Sequence, residues 1–201
     1  MNQKPININD KKVNHVISRT ISHIWGKLET VSFDFTFKNG KTERLTHEVY
    51  GKSDGVAILL FNKETKQVIL TKQFRIPMYV AGVNNGFSYE VCGGTIDKNE
   101  TATQSVIREA IEEVGYQPFN LKKVTTLFLS PGLVKEQVHL FTGEYSPESK
   151  VENGGGLDEE NEEIEIMEVD IDEAFKMIAN KNIVDARTLL LLQHIRLEYS
   201  I

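Results

Sequence analysis

A single cysteine, Cys92, leaves the chain without the means to close an internal disulfide. Positive charge is also in deficit. Lys and Arg number 23 against 29 Asp and Glu, a net charge of −6, which argues against a nucleic-acid-binding face. A phosphorylated ligand stays open, because bound divalent cations reverse the local field. No apolar run approaches the roughly 20 residues needed to span a bilayer. The opening MNQKPININDKK lacks the hydrophobic segment of a secretory signal. No repeat is visible, and no low-complexity tract outside one acidic loop. These absences together predict a cytoplasmic protein with neither membrane nor nucleic-acid partners. Cys92 lies in an apolar run before two glycines and is expected to be a small core residue rather than a nucleophile.

What is present is ordinary for a globular chain: 40% hydrophobic and 26% charged residues over 201 positions, enough for one core with an appended segment. Residues 1–50 divide from 51–201. Residues 16–37 favour β-structure, and TVSFDFTF alternates strictly before the turn signal Lys38-Asn39-Gly40-Lys41; TERLTHEVY resumes the pattern after it. This predicts a hairpin. Trp25 and the nearby aromatics leave the segment two roles, packing on its own domain, which is the default, or serving a partner subunit. Strands are then expected at 56–61, 67–74, 87–92, 123–130, 137–145 and 164–169, with helices at about 171–180 and 185–198. Leu189, Leu190, Leu191 and Leu192 read as the buried side of the last helix. The order predicts the α/β class, a mixed sheet with helices on both sides.

Residues 94–116, GTIDKNETATQSVIREAIEEVGY, organise the rest. Thr101 with Gln104 three residues on makes a capping box, and Gly115 supplies the stop. Ala102, Val106, Ile107, Ala110, Ile111 and Val114 recur at helical spacing. Opposite them stand Arg108, Glu109, Glu112 and Glu113. Carboxylates three and four residues apart repel, by a few tenths of a kcal/mol per pair. Such a helix face is usually a solvated surface; as a site, its oxygen-only donors suit Mg²⁺ or Mn²⁺ rather than zinc. Glu100 can join the cluster, and Arg108 can brace Glu112 or Glu100 from behind.

Four features elsewhere carry possible chemistry. Arg75 ends a strand and can grip a diphosphate bidentately, or be a surface cation. Glu90 lies just upstream of the two glycines, within reach of the site or merely at a strand edge. Ser130-Pro131-Gly132 reads as a turn. Residues 154–163, GGGLDEENEE, read either as an acidic surface loop or as a lid carrying a general base.

The central stretch resembles the Nudix hydrolase signature G-x5-E-x7-R-E-U-x-E-E-x-G-U at Gly94, Glu100, Arg108, Glu109, Ala110, Glu112, Glu113 and Gly115, with Tyr116 in place of the final aliphatic residue. With EVYGKSDGVAILLFN, QFR, the SPG turn and the GGG-acidic run, the chain is similar to the Nudix branch that cleaves ADP-ribose and nucleoside diphosphate sugars, and within it to the GDP-mannose hydrolases. Leu133 stands where those have a second glycine, and Pro131 is associated with ADP-ribose hydrolysis, so both substrates remain open. The resemblance implies an α/β/α sandwich preceded by an N-terminal antiparallel β-sheet that serves dimerisation. It implies metal ligation by the Gly93 carbonyl, Glu109 and Glu113, with Glu112 assisting, and substrate contacts from Arg75, Glu90 and Pro131. The catalytic base falls on the acidic loop at Glu160, or next at Glu162. Mg²⁺-dependent pyrophosphatase action by a homodimer follows. A nucleotide-sensing module without catalysis is the rival reading, as is a Nudix enzyme for other nucleoside diphosphate derivatives.

Overall fold

A computed structural model describes residues 12–157 and 162–199. The chain forms two compact units, one of residues 1–53 with 128–137, the other of 54–127 with 138–201. The first is built on three antiparallel strands in the order β1 (Val13–His23), β2 (Lys27–Thr36), β3 (Thr42–Gly51). The expected hairpin is β2–β3, paired without a break from Lys27↔Gly51 to Thr36↔Thr42. A third strand, β1, is added through a turn at Ile24, Trp25 and Gly26. That turn escaped the sequence pattern because two of its three residues are large and apolar. Residues 128–137 join this unit through Tyr50, whose N–H donates to the Leu133 carbonyl (2.9 Å) and whose carbonyl accepts from the Lys135 N–H (2.9 Å).

The second unit is a six-stranded mixed sheet with helices on both faces. Its axis is β4 (Gly55–Asn62), an unbroken apolar run because both of its faces are covered. Strand alternation divides that run between two cores. Val56, Ile58 and Leu60 face Val106, Ala110 and Val114 of α2 (Ala102–Val114). Ala57, Leu59 and Phe61 face the opposite layer, with Ile171 and Ala174 of α3 (Ile171–Ala179) and Leu191, Leu192 and Ile195 of α4 (Ala186–Tyr199). β8 (Gln137–Glu144) runs parallel to β4, and β7 (Phe119–Phe128) lies beyond it. β5 (Gln67–Phe74) runs antiparallel to β4, to β6 (Phe87–Glu90) and to β9 (Glu165–Asp170).

Three details depart from the sequence pattern. β7 starts at Phe119 rather than near 123, with Asn120 at φ 48° breaking the alternation that would have revealed it. A short helix, α1 (Ile76–Val80), follows β5; five residues with a proline in the first turn carry no period to detect. In α4 the buried row is Thr188, Leu191, Leu192 and Ile195, while Leu190 is 39% exposed. A 3.6-residue turn cannot bury four successive leucines. No helix among the described residues is long and apolar enough to cross a membrane.

Candidate active site

Helix α2 starts where its cap dictates. The Thr101 hydroxyl accepts from the Gln104 N–H (3.3 Å), and the Gln104 side chain accepts from the Thr101 N–H (2.9 Å). Gly115, at φ 80°, ends it. With one stripe packed against β4, the other must present Arg108, Glu109, Glu112 and Glu113. Arg108 holds four carboxylates: Glu100 through Nε (3.1 Å), Glu109 through Nη1 (3.0 Å), Glu112 through Nη1 (2.7 Å) and, at longer range, Asp97 through Nη2 (3.7 Å); its Nη2 also donates to the Thr95 carbonyl (3.2 Å). The bracing of Glu112 and Glu100 foreseen from the spacing is therefore present.

Glu113 is different. It is 2% exposed, accepts from the Gly93 N–H (3.0 Å) and forms no salt bridge among the described residues. Burial, with repulsion from Glu109 and Glu162, pushes its carboxyl up to about 8. Burial does the same to Glu109, and the charges of Glu112 and Glu162 add to it against Arg108, giving about 7. Gly94 makes the approach possible, since a Cβ there would lie on the Glu109 carboxylate. The carbonyls of Cys92 and Gly94 accept from Ile58 (2.8 Å) and Val56 (2.9 Å) of β4, whereas the Gly93 carbonyl between them receives no hydrogen bond from a described residue. The buried Glu113, the half-buried Glu109 and an unused carbonyl form an all-oxygen donor set fitting a hard divalent cation. With Arg108 gripping Glu109 and Glu112, no three acidic, histidine or cysteine side chains close around one point among the described residues.

Beside α2, at the C-terminal end of β5, Arg75 forms a fork with Glu90: Nε to Oε1 at 3.1 Å and Nη2 to Oε2 at 2.7 Å. Arg187 of α4 adds a third contact, Nη2 to Glu90 Oε2 at 2.7 Å, and is itself held by Asp185 (3.0 Å). Burial alone would raise the Glu90 carboxyl, but the two guanidinium groups outweigh it and hold it down at about 2.

A NUDIX domain profile matches residues 51–192, and one described as the GDP-mannose pyrophosphatase NudK N-terminal domain matches residues 12–50. The chain belongs to the Nudix family. Among curated relatives, the GDP-mannose pyrophosphatase of Cronobacter sakazakii is 40% identical over 89% of this chain and 92% of its own length. That of Pectobacterium atrosepticum is 40% identical over 94% of this chain and 93% of its own. A solved structure titled as an ADP compounds hydrolase superposes with a TM-score of 0.71 at 18% identity, covering 94% of this chain and 95% of that one; it shares the fold.

Around the Nudix helix the structure gathers Gly93, Glu109, Glu112 and Glu113, with Glu162 near enough to repel both the Glu109 and the Glu113 carboxyls. Glu160, the first-ranked base, lies outside the described residues. Arg75 and Glu90 are brought together, and each occupies the other. Pro131 belongs to the N-terminal unit, where it lines a cavity of about 380 Å³ with Val31, Phe33, His47 and Leu133. Tyr116, the odd residue of the Nudix signature, packs in the α2 layer, its ring edge-on to Tyr145 at 5.0 Å. Cys92 is buried in the same layer, and burial raises its thiol well above the usual range, as for a core residue. Sequence reasoning missed Arg187 and Asp185. The available signal was the cap of α4, where Asp185 accepts from the Thr188 N–H (2.9 Å) and hydroxyl (2.8 Å), so Arg187 sits in the first turn of a helix whose buried face was already suspected.

Proposed function

We propose that this Nudix hydrolase cleaves the diphosphate bridge of a nucleoside diphosphate sugar, adding one water to give a nucleoside monophosphate and a sugar 1-phosphate, with GDP-mannose as the first substrate. The carrying observation is the buried Glu113 and the half-buried Glu109 beside the unused Gly93 carbonyl, their carboxyls raised to about 8 and about 7 chiefly by burial. The names and the 40% identity of the relatives support the substrate class. Mg²⁺, or Mn²⁺ in its place, would be held by Glu109, Glu113 and the Gly93 carbonyl with Glu112 assisting, and when bound supplies the positive charge that a diphosphate and its leaving phosphate require. Glu109 exchanges its contact with Arg108 for that role, while Arg108 keeps Glu100 and Glu112 in place. Glu162, near enough to repel both carboxyls, takes the proton of the attacking water. Arg75, 38% exposed, turns from Glu90 toward the substrate phosphates, and Arg187 retains Glu90 when it does. The enzyme works as a cytoplasmic homodimer joined through residues 1–50.

The test is a screen of GDP-mannose, ADP-ribose and UDP-glucose with Mg²⁺, resolving the products. GMP with mannose 1-phosphate is the expected outcome. Preferred release of ribose 5-phosphate would move the substrate to ADP-ribose, the reading associated with Pro131. Thermal stabilisation by a nucleotide sugar without any product would make this a sensing module instead. Glu113→Gln, which keeps the side-chain volume and an oxygen for the Gly93 N–H, is expected to retain the fold and lower kcat about 100-fold or more.

A further inference from the structure

The last carbonyls of an α-helix have no partners within it, and a single glycine cap satisfies only part of them. In α2 two of the remainder, the carbonyls of Glu112 and Glu113, are met by a distant stretch of chain. The Gly155 N–H donates to the Glu113 carbonyl (2.9 Å) and the Gly156 N–H to the Glu112 carbonyl (3.2 Å). In return the Gly115 carbonyl accepts from Val151 (2.8 Å) and Glu152 (3.1 Å). The same loop is tied to Glu162: the Ile164 N–H donates to the Gly155 carbonyl (3.2 Å), the Glu162 N–H to the Leu157 carbonyl (3.3 Å), and the Leu157 N–H to Glu162 Oε2 (3.4 Å).

Each glycine answers a separate demand. All three have positive φ, 70°, 110° and 86°, where an L side chain is strained. A Cβ on Gly154 would strike the backbone of Val114 and Gly115 at 2.7 and 2.8 Å. A Cβ on Gly156 would strike Glu162 itself, at 2.7 Å from its Cβ and 2.9 Å from Oε2. One on Gly155 meets open space. Glu112 and Glu113 also stand in the last turn, where the negative end of the helix disfavours carboxylates, and two incoming N–H groups offset that field.

We infer that Gly154, Gly155 and Gly156 form a positioning element, locking the loop that bears Glu162 to the backbone of Glu112 and Glu113 so that base and carboxylates are held as one body. This rests on the reading of Glu162 as the base. The test is a double-mutant cycle of Gly156→Ala and Glu162→Gln in the full chain, assayed with GDP-mannose and Mg²⁺ and followed by thermal melting. Gly156→Ala is expected to lower kcat by about tenfold or more with KM little changed, yet to cost less than about twofold in the Glu162→Gln background. Equal losses in both backgrounds, or no loss in either, overturn the positioning role. A fully active Glu162→Gln overturns the base assignment instead. Should Gly156→Ala fail to melt cooperatively, Gly155→Ala enters the same cycle and is judged in the same way. Independently of turnover, the Gly155 and Gly156 amides of the metal-free protein should exchange about 100-fold or more slowly than free peptide; exchange at the free rate overturns the docking.

Discussion

Glu90 shows what a single residue contributes when its two partners come from distant parts of the chain. Two guanidinium groups converge on a carboxylate that is 4% exposed, and its carboxyl drops from the ordinary 4.5 to about 2. The folded value lies below the unfolded one, so the contribution is complete above about pH 4.5 and is lost as the pH falls toward 2. The whole difference is about 3 kcal/mol. Urea denaturation from about pH 6 to about pH 3 should therefore show a steeper fall in stability for the wild type than for Glu90→Gln; equal slopes would remove the assignment. Gly94 carries a second prediction at this scale. Adding a methyl there places it on the Glu109 carboxylate, so Gly94→Ala should lower kcat by about tenfold or more while the melting temperature moves only a few degrees. Steady-state kinetics and calorimetry on one preparation check both parts.

At the scale of elements, α2 owes its start to Thr101. Removing the hydroxyl in Thr101→Ala leaves the Gln104 N–H without its acceptor and should cost about 1 kcal/mol, lowering the melting temperature by about 2–4 °C with kcat/KM within about twofold. Scanning calorimetry beside the assay reads this directly. The same helix was legible from the chain because cap, apolar period and stop all agree at Thr101, Val106, Ala110 and Gly115. Its carboxylate spacing was legible too, but not that Glu113 alone is sealed in, which depends on where β6 and its glycines meet β4. Arg187 was illegible because its partner Glu90 lies 97 residues away, and no local period encodes such a contact. The β-character of the first strand was legible within residues 16–37, but its separation from β2 was not: the connecting turn, Ile24-Trp25-Gly26, breaks the rule that turns are polar.

That exception bears on the whole molecule. β1 is exposed along almost its full length although it carries Val16, Ile17 and Ile21, with Ile17 at 62%, and the turn after it leaves Ile24 95% and Trp25 75% exposed. Among the described residues it is an edge strand, whose outer N–H and C=O groups invite pairing, and one charged side chain, Arg19, and two register shifts are all that guard it. A monomer would leave both the apolar side chains and the open edge in water. Covering by a second copy of this chain resolves both costs at once, so sedimentation equilibrium should give twice the 22.8 kDa of one chain. The paired substitution Ile17→Asp and Ile21→Asp puts like charges on that strand and should reduce the sedimenting mass to one chain, with the strand signal in circular dichroism retained. A wild-type protein that sediments as one chain would rule out the homodimer, and the apolar edge would then need another cover.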